Sequence, residues 1–194
     1  MFLLYLVLIC SQGLKAQEWT LAKEKNGVKV YTKETQDSPI KAFKATKFFN
    51  SKSTEILEVL RDVDNYKKWY DRCISSELLS GGEEPIQYYI QVSVPFPFDN
   101  RDIVNEMIVK QYPDSVRVRF SKIDGILSEK KGVVRMPLSF GSWLLKEKKD
   151  GTTYVEHEYV GDPAGSIPSS VVNLFLVSGP INTLTHLEEY VSSH

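Results

Sequence analysis

The sequence contains little cysteine, which limits both its covalent cross-links and its thiol chemistry. Cysteine occurs twice among 194 residues, as Cys10 and Cys73. We expect Cys10 to be removed with an apolar N-terminal segment, and the single remaining thiol cannot form an internal disulfide. No histidine lies at a telling spacing from Cys73, so we interpret it as a small packed side chain and not as a nucleophile. The folded protein must therefore be stabilised by its core, which a chain of this length permits.

The sequence also lacks the charge excess and the loop motifs of several common functional classes. The formal net charge is -1 and there is no basic cluster, which argues against a nucleic-acid partner. No glycine-rich loop ends in Gly-Lys-Ser or Gly-Lys-Thr, and no Gly-x-Ser-x-Gly elbow occurs. We therefore expect no cofactor and no enzymatic activity.

Histidine is scarce and scattered. The chain has three histidines, His157, His186 and His194, and none lies three or four residues from another histidine or a cysteine. The spacing of a zinc site is therefore absent, and we expect no metal. His157 shares a strand face with Val155 and Tyr159, so we interpret it as a hydrogen-bonded histidine of a core or cavity, not as a catalytic residue.

The apolar run at the N-terminus is short. It covers residues 2–10, about half of the ~20 residues that a membrane-spanning helix requires. The polar and small residues that follow are typical of a secretory signal peptide, with cleavage expected after Ala16. An N-terminal anchor or a buried strand are the alternatives. We predict a signal peptide over residues 1–16 and a single domain over residues 17–194, exported to a periplasm or secreted, or otherwise membrane-associated.

Alternating hydrophobicity predicts a sheet through most of the chain. Its clearest instance is residues 86–94, where Ile86, Tyr88, Ile90 and Val92 alternate with more polar residues. Further strands are predicted around Val28–Val30 and residues 43–49, 103–112, 116–120, 133–138, 142–148 and 152–160. Asp150-Gly151 is a hairpin signal between the last two.

Helical spacing occurs near both ends of this sheet. Residues 56–63 predict a helix with Ser53 as its N-cap, followed by a short helical turn whose aromatic residues pin it to the sheet. Apolar residues recur at helical spacing from Val171 to Val191, and Gly179-Pro180 should bend this late helix. An antiparallel sheet with a long C-terminal helix predicts an α+β fold.

Five stretches, taken in order, resemble the START (StAR-related lipid transfer) domain over nearly all of the chain after the signal segment. They are Trp19 with Val28-Lys-Val-Tyr31, Asp62-Val-Asp-Asn-Tyr-Lys-Lys-Trp69, Pro95-Phe-Pro-Phe-Asp-Asn-Arg-Asp102, Lys131-Gly-Val-Val-Arg135, and Asp162-Pro-Ala-Gly-Ser-Ile-Pro168 with Asn173. The resemblance implies a helix-grip fold. In that fold a curved antiparallel sheet wraps around the C-terminal helix and leaves an apolar tunnel for one lipid or similar hydrophobic molecule.

The resemblance also implies a set of ligand-binding residues on the tunnel wall. The candidates are Tyr88, Ile90, Val92, Arg101, Met107, Arg135, His157, Val171, Phe175 and Leu184. Tyr88 and Met107 fall where sterol-binding members place an acid and an arginine, which argues against a sterol bound in that manner. Each candidate could equally be an ordinary core residue, because a tunnel and a core use the same residue types.

The stretch from Pro95 to Asp102 is expected to form a corner after the long strand. The prolines remove backbone donors, and Phe96 and Phe98 are expected to fill the corner. A buried Arg101–Asp102 pair would fix the turn, whereas an Arg101 that faces the tunnel could bind a polar head group.

Three functions are compatible with the resemblance. The first is lipid binding, with transfer between membranes through transient membrane contact. The second is a cyclase-type enzyme that acts on a hydrophobic substrate in the same tunnel, with His157, Arg135 or a tyrosine as its acid–base groups. The third is a protein-interaction module with a filled core.

Overall fold

The structure, a computed structural model, describes residues 18–36, 38, 40–81, 84–165 and 167–194. It confirms the predicted α+β helix-grip fold, in which an antiparallel sheet packs against the C-terminal helix. The segment predicted as a signal peptide lies outside the described residues.

Within the described residues, the helices are α1 (Ser53–Arg61), a short 3₁₀ helix (Val63–Lys68) and α2 (Ser169–Ser192). The strands are β1 (Thr20–Lys25), β2 (Val28–Lys33), β3 (Ala42–Phe49), β4 (Cys73–Ser80), β5 (Ile86–Val92), β6 (Asn100–Tyr112), β7 (Ser115–Lys122), β8 (Val133–Arg135), β9 (Leu138–Glu147) and β10 (Thr153–Asp162).

The strands form a single sheet in the order β1-β2-β3-β10-β9-β7-β6-β5-β4. Every neighbouring pair along this path is antiparallel, whereas β8 pairs in parallel with the first residues of β6. The predicted Asp150-Gly151 hairpin is confirmed, because it joins β9 to β10 with Gly151 at a positive φ of 86°. Strand β1 was missed, because all six of its residues are exposed and show no apolar alternation.

The predicted corner after β5 is shorter than expected, the filling of the corner by Phe96 is wrong, and the alternative of an Arg101–Asp102 pair does not occur. Arg101 and Asp102 belong to β6, opposite Val92 and Gln91 of β5. Phe96 does not fill the corner, because 96% of its surface is exposed. Asp102 pairs with Arg135 of β8 instead of Arg101, at 2.7 and 3.1 Å.

Helix α1 begins one residue earlier than its predicted cap implies. Lys52 is the N-cap, and its backbone N–H donates to the Glu55 carboxylate at 2.9 Å. Ser53 is the first helical residue, and both its N–H and its hydroxyl donate to Glu147 at the end of β9, at 2.8 and 3.0 Å. The hydroxyl therefore ties the helix to the sheet instead of capping the helix.

Helix α2 continues through Gly179 and Pro180 as one element and differs between its two halves. The second half carries Leu184 and Leu187, both fully buried in the main hydrophobic core. Helix α2 contacts β2 and β3, and Glu188 of its second half forms an ion pair with Lys47 of β3 at 2.7 Å. The first half contributes side chains to the wall of a cavity.

Candidate functional site

A cavity of about 210 Å³ lies between the inner face of the sheet and the first half of α2. Strands β5 and β6 contribute Ile90 and Met107 to its wall, and α2 contributes Val172, Phe175 and Leu176. Because side chains alternate along a strand, the inward residues of neighbouring strands form one continuous surface. That surface is mostly apolar, so the cavity suits a hydrophobic ligand.

Most of the candidates derived from the sequence lie on this wall. They are Tyr88, Ile90, Val92, Arg101, Met107, His157 and Phe175. Their shared location follows from the register, which places Tyr88 opposite Asn105 and Ile86 opposite Met107 on β5 and β6.

Three other candidates do not lie on the wall. The side chain of Arg135 bonds to Asp102 and to the Leu127 carbonyl. Leu184 packs in the core below the cavity. Val171 is half-buried at the start of α2 and contributes nothing to the wall.

The sequence reading missed the aromatic residues that dominate the deep wall. Tyr66, Trp69 and Tyr70 come from the 3₁₀ helix and its C-terminal end, and Trp143 comes from β9. Their rings contact one another, with centroid distances of 4.8 Å for Tyr66–Trp69 and 6.3 Å for Trp69–Trp143. A sequence signal for three of them existed, because the aromatic residues of the short helical turn were expected to contact the sheet.

His157 lies within this aromatic cluster. Its ring stacks on Trp143 at 3.8 Å and 2°, and meets the edge of Phe43 at 5.2 Å. Burial lowers the pKa of His157 to about 3, so the ring is neutral at physiological pH.

The wall tyrosines are also uncharged. Burial raises the pKa of Tyr159 to about 12, and it raises the pKa of Tyr66, Tyr70 and Tyr88 well above the ordinary value of 10.0. A general acid or base works best with a pKa near the operating pH. These shifts move the pKa values of the tyrosines and His157 away from pH 7, so the deep wall is better suited to binding than to proton transfer.

Arg101 is buried on the wall, but backbone carbonyls occupy its donors. It donates to Pro163 at 2.9 Å, to Ala164 at 3.1 Å and to Asp99. These bonds fasten the start of β6 to the segment before α2. We therefore assign Arg101 a structural role at the rim in this state, and not a head-group contact.

Arg72 is the exposed cation on the wall and marks the mouth of the cavity. Its guanidinium lies 4.3 Å from the ring of Phe175 on α2. Its carbonyl accepts from the N–H of Ser93 at 2.9 Å. Asp71 accepts from Asn182 at 3.1 Å, and its own N–H donates to Thr183 at 3.2 Å. The turn before β4 therefore contacts α2 at two places, at Phe175 beside the mouth of the cavity and in the middle of the helix.

Neither a metal cluster nor a spanning helix is found in the described part of the chain. No group of three or more His, Cys, Asp or Glu side chains there could hold a metal ion. Among the same residues, no helix combines the length and apolar character needed to cross a membrane.

Comparison with known proteins agrees with this architecture. The START domain pattern matches residues 7–194. The crystal structure of a STAR-related lipid transfer protein from Xanthomonas axonopodis has a TM-score of 0.83 and 31% identity, covering 90% of this chain and 98% of that chain. An uncharacterised protein of Pseudomonas aeruginosa is 34% identical over 173 residues, 89% of this chain and 86% of the relative.

A eukaryotic relative extends the comparison. The phosphatidylcholine transfer protein of Mus musculus is 28% identical over 182 residues, 89% of this chain and 83% of its own length. The family pattern covers the described fold, including the sheet, the 3₁₀ helix and α2, which together form the cavity wall. The chain therefore belongs to the START domain family of StAR-related lipid transfer proteins.

Proposed function

We propose that the protein binds a lipid or a similar hydrophobic small molecule in the cavity and transfers it between membranes without chemical change. The observation that carries this proposal is the mostly apolar cavity of about 210 Å³ between the sheet and α2. The relatives named as phosphatidylcholine transfer proteins support a lipid ligand of this class.

The energetics favour a filled cavity. At about 24 cal/mol per Å³, an empty space of about 210 Å³ costs about 5 kcal/mol, comparable with a marginal domain stability. Ten buried methylenes contribute about 8 kcal/mol, and association costs of about 4–15 kcal/mol offset much of that gain. Binding in the micromolar range needs no covalent bond.

A larger lipid requires part of the wall to move, since sites for drug-sized ligands occupy about 300–1,000 Å³. The first half of α2 is suited to this movement. It covers the cavity through side chains such as Phe175, whereas the second half is held by fully buried core residues. The loop from Lys122 to Lys131, a second segment whose movement could admit a ligand, contributes no residue to the wall. Instead, its Lys130 lies 3.9 Å over the ring of Tyr89.

The test is extraction of the purified protein followed by mass spectrometry, together with transfer of a fluorescent phosphatidylcholine between vesicles. Two variants of neighbouring residues on β6 form a matched pair. Met107→Trp fills the cavity from a fully buried wall position, whereas Ile108→Trp adds the same ring at a side chain that is 40% exposed and lies off the wall.

We expect a stoichiometric lipid in the wild type and in Ile108→Trp, with transfer strongly reduced in Met107→Trp. Circular dichroism verifies that each variant is folded. The proposal is refuted if the wild type yields no lipid and takes up no fluorescent lipid. A chemically converted ligand would instead support the cyclase-type function, and His157→Ala would then abolish turnover.

Transfer also requires contact with a membrane, and we propose that Phe96 makes it. The loop that carries Phe96 leaves the cavity wall at Val94 and returns to it at Arg101. A side chain that is 96% exposed there is placed to enter a bilayer beside the cavity. The phenyl ring of an exposed Phe is wholly apolar, so its transfer from water into the bilayer is favourable.

We further propose that the chain is exported after removal of residues 1–16. N-terminal sequencing of the protein recovered from its native host tests this proposal. A mature N-terminus at Gln17 supports it, and an intact Met1 in a cytoplasmic fraction refutes it.

A further inference from the structure

The wall of the cavity carries polar atoms that have no protein partner. His157 Nε2, Trp69 Nε1 and Asn105 Oδ1 are buried and lack a hydrogen-bond partner among the described residues. All three residues line the cavity, and their exposed fractions are 1%, 1% and 2%. A buried polar atom without a partner is destabilising, so such atoms indicate a molecule that binds there.

The hydrogen-bonding role of His157 Nε2 follows from the other ring nitrogen. Nδ1 lies 3.3 Å from the carbonyl oxygen of Ser142. A carbonyl oxygen can only accept, so the proton is on Nδ1 and the neutral ring presents a lone pair at Nε2. The stack on Trp143 and the edge contact with Phe43 hold the ring in this orientation. The cavity therefore offers a fixed acceptor.

A complementary donor belongs to the same aromatic cluster. The ring of Trp143 contacts His157 at 3.8 Å and Trp69 at 6.3 Å. The indole N–H of Trp69 can only donate. A hydroxyl group both donates and accepts, whereas a hydrocarbon chain satisfies neither atom.

We propose that the natural ligand carries a hydroxyl group within its apolar part, and that this hydroxyl donates a hydrogen bond to His157 Nε2. The proposal rests on the proposed function, because it concerns the hydrophobic ligand of the same cavity. His157 is then a specificity residue. A site built to bond a hydroxyl discriminates against the analogue that lacks it, because the buried acceptor is left without a donor.

The experiment uses octadecanoic acid and a positional series of monohydroxy-octadecanoic acids with delipidated full-length domain. At least one hydroxylated acid is expected to bind about tenfold more tightly than the parent acid, the effect of one hydrogen bond to an otherwise unpaired buried atom. His157→Phe should abolish that preference. His186→Phe removes an exposed imidazole that lies off the wall, so it should keep the preference.

A second measurement on the wild type does not depend on the folding of any variant. The ¹⁵N resonance of His157 Nε2 should move toward that of a hydrogen-bonded nitrogen with the preferred hydroxylated acid, but not with octadecanoic acid. His186→Phe and His194→Phe assign the remaining histidine signals.

Three results would overturn the inference: no hydroxylated acid is preferred, the preference survives in His157→Phe, or the Nε2 resonance is already shifted and does not respond to ligand. The last result would assign the partner to a bound water. In each case, binding of octadecanoic acid itself would leave the proposed lipid-binding function intact. Failure of every acid to bind would count against that function instead.

Discussion

Replacing Arg135 by methionine removes the partner of a buried carboxylate. Asp102 and Arg135 have side chains that are only 1% and 11% exposed. Two hydrogen bonds, of 2.7 and 3.1 Å, join them where β6 and β8 pair. The hydrogen bonds to the Asp102 carboxylate raise the pKa of Arg135, so its guanidinium is charged.

The expected cost of Arg135→Met is about 3–5 kcal/mol, because an uncompensated charge would remain buried at Asp102. For a chain of this size, about 2–4 °C of Tm is lost per kcal/mol, so Tm should fall by about 6–20 °C. Urea unfolding followed by circular dichroism measures the free energy of unfolding. The double variant Asp102→Asn/Arg135→Met should be less destabilised than Arg135→Met, because neither charge remains.

Arg117→Met is the matched control for the loss of an arginine. Arg117 is half-buried on β7, off the wall of the cavity, and no ion pair to it is found within the described residues. Its loss should change stability by less than about 1 kcal/mol. Lipid affinity should be unchanged in folded Arg135→Met, because Arg135 lies off the cavity wall. Near-normal stability of Arg135→Met, or weak lipid binding by an Arg135→Met variant that is fully stable, would contradict this structural role of the pair.

Three further predictions concern the exposed loop, a close strand contact and pH. Phe96→Ser should weaken binding to phosphatidylcholine vesicles and slow transfer while leaving lipid uptake from solution intact; unchanged vesicle binding would contradict the role of Phe96. Gly141→Ala should cost about 1–3 kcal/mol, because a Cβ would lie 2.2 Å from the Glu158 carbonyl, whereas Gly81→Ala has open space and should be neutral. The pKa of His157 falls from 6.5 to about 3 on folding, so between these values the unfolded state binds the additional proton. The contribution of neutral, buried His157 to the free energy of unfolding should be fully present above about pH 6.5. It should decrease toward pH 3 by up to about 1.4 kcal/mol per pH unit. In His157→Phe the free energy of unfolding should decrease less over this pH range. An equal decrease in the wild type and the variant would refute the assignment of this pH dependence to His157.

The elements with strong periodicity could be predicted from the sequence. Residues 86–94 alternate in the sequence, and β5 covers Ile86–Val92. The long apolar repeat near the C-terminus likewise forms α2. Strand β1 lacks this signal because both of its faces are exposed. The Asn26-Gly27 pair would have revealed it, because Asn-Gly is the sequence signal of a tight hairpin turn. In the structure both residues have the positive φ that such a turn requires, 54° and 74°.

The cavity wall could be predicted only in part, because wall and core residues have the same chemistry. Met107 and Leu184 are both buried apolar residues at positions with the correct period, yet Met107 lines the cavity and Leu184 packs in the core. The distinction depends on which part of α2 is separated from the sheet by the cavity. Likewise, the partner of Asp102 depends on the parallel pairing of β8 with β6, a long-range contact without a local sequence signal.

The aromatic cluster distinguishes the surroundings of the two halves of α2, because its rings line the cavity under the first half, whereas aliphatic core residues surround the second half. Below Pro180, Leu184 and Leu187 meet small or branched residues such as Val28, Val30 and Ala45, which share one fully buried core with them. Above Pro180, large rings contact one another across the sheet and the 3₁₀ helix, as in the Trp69–Trp143 pair. Collapse of the cavity would require these rings to separate, or the paired strands that carry them to shift. A close-packed interior resists both changes. The same rings that keep the cavity open therefore also hold the unpaired nitrogen atoms of Trp69 and His157 in fixed positions at its surface.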